Sequence, residues 1–319
     1  LEKTALTEID LRATAGEHAL VTGAFGFLGR HVSRLLSRSG YMVTGIGHGA
    51  WSAEEWRSWG LTHWQGSDVT LTTLQNLNIV PDLIVHVAGG ASVAASLQDP
   101  LRDFDRTMAT MAHVIEYARR TAPGCTIVYP SSASVYGATE RMPIDEDTQP
   151  KPISQYGLHK LMAEEMISFA ARQYGLRSAV VRFFSIYGCG LRKQLLWDAC
   201  GKLTRNESLF GGTGDEVRDW LHVEDAARLT LFAARYASSD CPTVNGGRGE
   251  GVTVRALLEH LATSLNVDAR PSFSGVRRHG DPSHYVADIN RSLDWGWKPE
   301  IDWKASVAEY ADWWLRTCA

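Results

Sequence analysis

Val21-Thr22-Gly23-Ala24-Phe25-Gly26-Phe27-Leu28-Gly29 joins a short apolar run, His18 to Thr22, to a segment with helical spacing, Gly26 to Ser39. In that segment Phe27, Leu28, Val32, Leu35 and Leu36 recur on one face. Strand, glycine turn and helix in this order form a phosphate-binding turn. Gly23 supplies a tight bend, Gly26 lets backbone approach a pyrophosphate, and Gly29 lets the helix lie close to the strand. The helix start then offers free N–H groups and a positive dipole end to an anion.

Working outward, Tyr41 to Ile46, Leu83 to Val87, Thr126 to Tyr129 and Ser178 to Phe184 read as further strands. Phe104 to Arg120 and Ser154 to Tyr174 read as helices between them. Alternating strands and helices imply right-handed crossovers and a parallel sheet covered on both faces. The expected fold class is α/β, a doubly wound parallel (Rossmann) sheet with a smaller mixed α/β substrate-binding lobe. The expected division is 1–184 for the dinucleotide-binding domain and 185–319 mainly for the lobe, with some later segments returning to the sheet. In the second half, Gly211 to Gly214 and Asn245-Gly246-Gly247 read as loops, Thr253 to Leu265 and Trp303 to Leu315 as amphipathic helices. Trp51, Trp56, Trp59 and Trp64 cluster after the second strand, where packing is the simpler reading and stacking on a ligand base or a subunit contact the alternative.

Composition excludes several classes. The chain has 319 residues, of which 44% are hydrophobic and 21% charged, enough for a sizeable core without staples. A net charge of −4 and the absence of any long basic run argue against nucleic acid as a partner. Five scattered cysteines without a Cys-x-x-Cys pair read as reduced thiols, and no metal-ligand spacing is visible, so no metal is expected. Leu1 to Glu17 lacks a basic stretch followed by an apolar run, and no stretch is long and apolar enough to span a bilayer. The expected location is the cytoplasm.

Tyr156-Gly157-Leu158-His159-Lys160 places Tyr156 and Lys160 four residues apart, on one helix face. An ammonium there is expected to lower the Tyr156 pKa toward working pH, so that the phenol can exchange a proton with a hydroxyl or carbonyl oxygen. Ser131-Ser132-Ala133-Ser134-Val135-Tyr136-Gly137 follows the strand that ends at Tyr129. With the glycine loop, this chain order resembles the extended branch of the short-chain dehydrogenase/reductase superfamily. Arg182 to Gly188, Arg218 to Asp225 and Arg278 to Asp281 resemble successive signatures of its nucleotide-sugar epimerase and dehydratase family. The resemblance runs from about residue 18 to 300.

The resemblance implies a catalytic trio of Ser132, Tyr156 and Lys160. It implies a cofactor site of Gly23, Phe25, Gly26, Phe27, Leu28, Gly29, His48, Asp68, Val69, Val87, Ala88 and Gly89, with Tyr156 and Lys160. Ser92, Ser132, Ser185, Arg218 and Arg278 are the expected substrate contacts; guanidinium suits a diphosphate because it gives paired bonds to its oxygens. Asp68 also reads as a helix cap, and His222 and Asp225 read as structural, a cap and helix start. The second strand ends at Gly47-His48 without the acidic residue that holds a ribose 2′-hydroxyl, and His48 or Arg30 is in reach of a 2′-phosphate, so NADP is expected over NAD. The family's dehydratases carry Asp-Glu where this chain has Ala133 and Ser134, which sets dehydration aside. Galactose epimerases have a lysine shortly after the segment like His86 to Gly89, and asparagines where this chain has Thr107 and Ser185. The expected reaction is therefore reduction of an NDP-4-keto-sugar, with an NDP-sugar 4-epimerase retaining NAD as the alternative and a non-catalytic dinucleotide-binding protein as a remote one. A homodimer pairing Phe104–Arg120 and Ser154–Tyr174 with their copies is expected by the same resemblance.

Overall fold

A computed structural model of the chain describes residues 13–14, 16–276 and 284–318. The main strands are β1 (His18–Thr22), β2 (Met42–Gly47), β3 (His63–Gly66), β4 (Leu83–His86), β5 (Thr126–Ser132) and β6 (Arg177–Phe183). With β10 (Thr243–Gly246) they form one seven-stranded sheet in the order β10-β6-β5-β4-β1-β2-β3, every neighbouring pair parallel. This is the doubly wound sheet expected. The order reverses at β1 and β4, so their C-terminal ends open a crevice.

Strand alternation decides what each face buries. Ala19, Val21, Val43, Val85, Val128 and Val181 face one layer, built from α1 (Phe27–Arg38) and α9 (Val223–Tyr236). Leu20, Ile46, Ile84, Ile127 and Tyr129 face the other, built from α3 (Leu71–Asn76), α6 (Thr110–Thr121) and α7 (Gln155–Tyr174). Each such Val, Leu or Ile side chain, fully buried, contributes roughly 1.5–3 kcal/mol, so the alternation favours one register on both sides. α2 (Ala53–Ser58), α4 (Val93–Gln98) and α5 (Pro100–Phe104) are short connectors at the sheet's upper edge.

The remaining elements make a second apolar cluster. β7 (Ser185–Tyr187), β9 (Val217–His222), β11 (Gly251–Thr253) and β13 (His284–Tyr285) form a small sheet around β9. β8 (Leu209–Phe210) pairs with β12 (Ser272–Phe273). α8 (Gln194–Thr204), α10 (Val254–Ser264) and α12 (Trp303–Cys318) bury Leu196, Leu203, Leu257, Leu261, Trp303 and Tyr310 together. α11 (Asn290–Asp294) packs back on β10.

Two elements differ from the sequence reading. Asn245-Gly246 is not a loop: both residues belong to β10 at the sheet's edge. The Asn245 amide there accepts from Tyr136 Oη at 2.7 Å and donates to Ile144 O at 2.8 Å. Phe104 to Arg120 is not one regular helix either. A π-helical turn, Asp105–Ala109, separates α5 from α6. The four tryptophans pack against the α1 layer. Trp51 stands edge-on to Phe25 and Trp64, and Trp59 carries the Arg34 guanidinium 3.7 Å from its ring centre. Among the described residues no helix is long and apolar enough to cross a membrane, and all five cysteines are free thiols.

Candidate active site

A cleft of about 1140 Å³ opens at the C-terminal ends of β1, β2, β4 and β5, and extends to the small sheet. Its floor is the turn after β1. Gly23 has φ +69°, and a Cβ there would stand 2.7 Å from the Ala88 nitrogen. Gly26 caps α1 without any side-chain bond, so the first N–H groups of that helix face the cleft unblocked. Phe25, Phe27 and Leu28 line the same wall. Gly29 does not; it lies against Gly23 O, 2.2 Å from where its Cβ would be, and so seats α1 on β1. Val87, Ala88 and Gly89 form the opposite rim after β4. Thr22 holds them: its hydroxyl accepts from Ala88 N at 3.2 Å and lies 2.7 Å from His86 Nδ1. Burial keeps His86 neutral, pushing its pKa down to about 3. This cradle of backbone N–H groups and close glycine contacts fits a dinucleotide pyrophosphate.

His48 Nε2 is 2.7 Å from Asp68 Oδ1, and both side chains, largely exposed, line the cleft. Arg30 is turned away. It donates to Phe25 O at 2.6 Å and stacks over Phe25, Trp51 and Trp59. Val69 lines the cleft beside Asp68. Thr70, not Asp68, is the side-chain cap of α3.

β5 and α7 bring the trio together. Ser154 caps α7 through Gly157 N at 3.1 Å, and Tyr156 begins its first turn. Ser132 ends β5; its hydroxyl lies beside the Tyr156 phenol and accepts from Ser134 Oγ at 3.0 Å. Lys160 is buried one turn further on and donates to Pro130 O at 3.0 Å. Its burial lowers its pKa to about 8, opposed by Glu164 and Asp103.

The expected lowering of the Tyr156 pKa is not what this geometry gives. The Lys160 ammonium is 5.9 Å from the Tyr156 ring centre and gives one of its three N–H groups to Pro130 O. Burial wins and pushes the phenol up to about 12, with the Ser132 bond pulling the other way and Asp103 adding to the rise. The proton is held at Tyr156 Oη until another positive charge or hydrogen bond joins the site.

At the far end Ser185 and Arg218 line the cleft, and Ser92 lines it while capping α4 through Ala95 N at 3.2 Å. Arg278 lies outside the described residues. His222 caps α9 through Glu224 N, and Asp225 accepts from Glu300 N and Ile301 N, both structural as read. Sequence reasoning missed Lys193, Trp220 and Tyr285, which also line the cleft. Tyr285 Oη donates to Ala133 O at 2.6 Å, tying β13 to the segment that carries Ser132. No spacing pattern announces a residue that arrives from so far along the chain.

A model of the NAD dependent epimerase/dehydratase family matches residues 19–245. A putative UDP-glucose 4-epimerase of Methanocaldococcus jannaschii is 27% identical over 92% of this chain and 97% of its own length. The UDP-glucose 4-epimerase of Azospirillum brasilense is 28% identical over 96% and 94%. Among solved structures, the UDP-glucose 4-epimerase of Thermotoga maritima with UDP-glucose superposes with a TM-score of 0.86 at 25% identity, covering 95% of this chain and all of that one.

Proposed function

The chain belongs to the NAD dependent epimerase/dehydratase family, and from that premise we propose that it is a UDP-sugar 4-epimerase working with retained NAD. The observation that carries the proposal is the meeting of Ser132, Tyr156 and Lys160 on the wall between the glycine cradle and Arg218. The dinucleotide, when bound, supplies hydride acceptance and return at sugar C4. Tyr156 Oη takes the C4 hydroxyl proton on oxidation and returns it on reduction, and Ser132 Oγ aligns the same oxygen. Lys160 supplies the positive charge that favours phenolate as the site fills. Arg218 faces the diphosphate, where a guanidinium gives paired charge-assisted bonds. Ser185 and Ser92 offer hydroxyls along the same wall.

The reductase reading rests on NADP and on the departures from galactose epimerases after Gly89, at Thr107 and at Ser185. The His48–Asp68 contact and the Arg30 bond to Phe25 O engage the two groups read as reaching a 2′-phosphate, which favours NAD. The relatives named above are 4-epimerases by name, which favours the same reading.

Purified protein, denatured, should release NAD in near-stoichiometric amount. Native protein should interconvert a pair of UDP-hexoses epimeric at C4 with no cofactor added. Tyr156→Phe should keep the NAD and lower kcat by roughly 100- to 10,000-fold. Stoichiometric consumption of NADPH with a 4-keto substrate would instead return the reductase.

A further inference from the structure

Between Tyr156 and Lys160 on α7 sits His159, and it is buried. Its Nδ1 donates to Asp103 Oδ2 across 2.6 Å; the two side chains are 8% and 5% exposed. Asp103 comes from α5, on the other side of the cleft rim. The Phe104 ring stands edge-on to the imidazole at 5.5 Å and closes it off. The second carboxylate oxygen, Oδ1, lies against the loop after β4, so closely that a Cβ on Gly90 would be 2.0 Å from it. Gly90 N is held in turn by Thr107 Oγ1 at 3.0 Å, on the π-helical turn. One carboxylate therefore touches three parts that meet at the cleft: α5, α7 and the Gly89-Gly90 rim.

A buried carboxylate bonded to an imidazole is a poor source of net stability, because taking its charge out of water costs several kcal/mol before the bond offsets it. Its neighbours suggest what it does instead. Two carboxylates act on Lys160, Glu164 and Asp103. Glu164 is engaged by the Arg182 guanidinium through three contacts and by Ser131 at 2.5 Å. Asp103 acts on both Lys160 and Tyr156 from outside their helix.

We propose that the Asp103–His159 pair is a positioning device for the Tyr156–Lys160 couple. It clamps α7 to α5 and to the Gly89-Gly90 rim, and it keeps one negative charge at a fixed place beside the couple. Neither residue touches the reacting atoms. The role rests on the reading of Tyr156 and Lys160 as the proton-exchanging pair. The groups facing Tyr156 are Ser132 and Tyr129 from β5, Asp103 from α5 and Lys160 from α7 itself; Glu164 from α7 and His86 from β4 face Lys160. Among the charged groups named there, Asp103 is the one that opposes ionisation of Tyr156 directly, so its removal has a definite sign.

The test is Asp103→Asn, read first by the ultraviolet tyrosinate titration of the purified holoprotein. Subtracting the same titration of Tyr156→Phe isolates the Tyr156 ionisation. In Asp103→Asn that ionisation should move to lower pH by about one unit. Both limbs of the kcat–pH profile should move the same way, since Lys160 also loses its supporting charge. kcat should fall about tenfold or more with KM little changed, as expected for a misplaced acid–base pair. Tyr156 ionising at the same pH in the variant as in the natural protein overturns the proposal. Should Asp103→Asn fail to fold, Asp103→Asn/His159→Gln removes the same charge and leaves two amides able to bond across the gap; it is judged by the same titration. If the natural protein interconverts no UDP-sugar, the functional reading fails, while the titration still decides the pair.

Discussion

Gly23 meets two requirements at once, a left-handed backbone and a close neighbour. Its φ of +69° is a region that side chains disfavour, and the Ala88 nitrogen occupies the Cβ position to within 2.7 Å. Gly23→Ala must therefore push the Val87–Ala88 rim away from Thr22, breaking the 3.2 Å bond between them. The expected loss is about 1–3 kcal/mol of stability, together with most of the NAD released on denaturation; a melting curve and a nucleotide assay of the same sample check both. This demand was legible in the sequence, because it depends on spacing within nine residues. The trio was legible for the same reason, Tyr156 and Lys160 being one helical turn apart. What local spacing could not carry was the proton affinity of Tyr156, which burial by distant segments sets. Nor could it carry the engagement of His48 by Asp68, or of His159 by Asp103, since each pair is joined only by the folding of separate crossovers.

At the scale of elements, helix ends were read well where punctuation was explicit. α7 starts at the Ser154 cap and stops at Gly175, which takes φ +68°. The π-helical turn before α6 was invisible because apolar periodicity continues through it, and β10 was misread because Asn-Gly-Gly is turn chemistry that a buried sheet edge overrides. α7 also carries a feature the monomer does not use. Its inward face buries Ala163, Glu164, Ile167 and Ala171, while Leu158, Met162 and Phe169 form an outward stripe, Phe169 being 60% exposed. An apolar strip of this kind on an otherwise polar helix marks a contact with another chain, and we propose that it pairs two copies. Phe169→Glu should convert a dimer to a monomer in sedimentation at micromolar concentration while leaving the circular dichroism spectrum unchanged. A natural protein that sediments as a monomer throughout that range would remove the proposal.

For the whole molecule, buried histidines and carboxylates set the response to mild acid. His31, edge-on between Phe27 and Trp59 in the α1 layer, is pushed down to about 3 by burial and by Arg34; His86, under the opposite layer, is pushed down to about 3 by burial. Both stay neutral in the fold but take up protons near pH 6.5 when unfolded, so each contributes stability that is full above that pH and lost progressively as pH falls toward 3. Asp219 opposes them. Burial raises it to about 6 although it accepts from Arg248 N, Gly249 N and Ala287 N. Its folded state binds a proton where the unfolded state does not, so it adds stability as pH falls through 6. Burial also lowers His18 and His222 and raises Glu146, so between about pH 6 and 5 the histidines and the raised carboxylates pull in opposite directions. Phenylalanine fits among the rings around His31 and takes up no proton, so His31→Phe removes one histidine's share of the slope. The urea-unfolding free energy of that variant should lose about 1.4 kcal/mol less per pH unit as pH falls through this window than that of the natural protein. An unchanged slope in that variant would mean that His31 is already protonated in the folded protein or titrates there with its ordinary pKa.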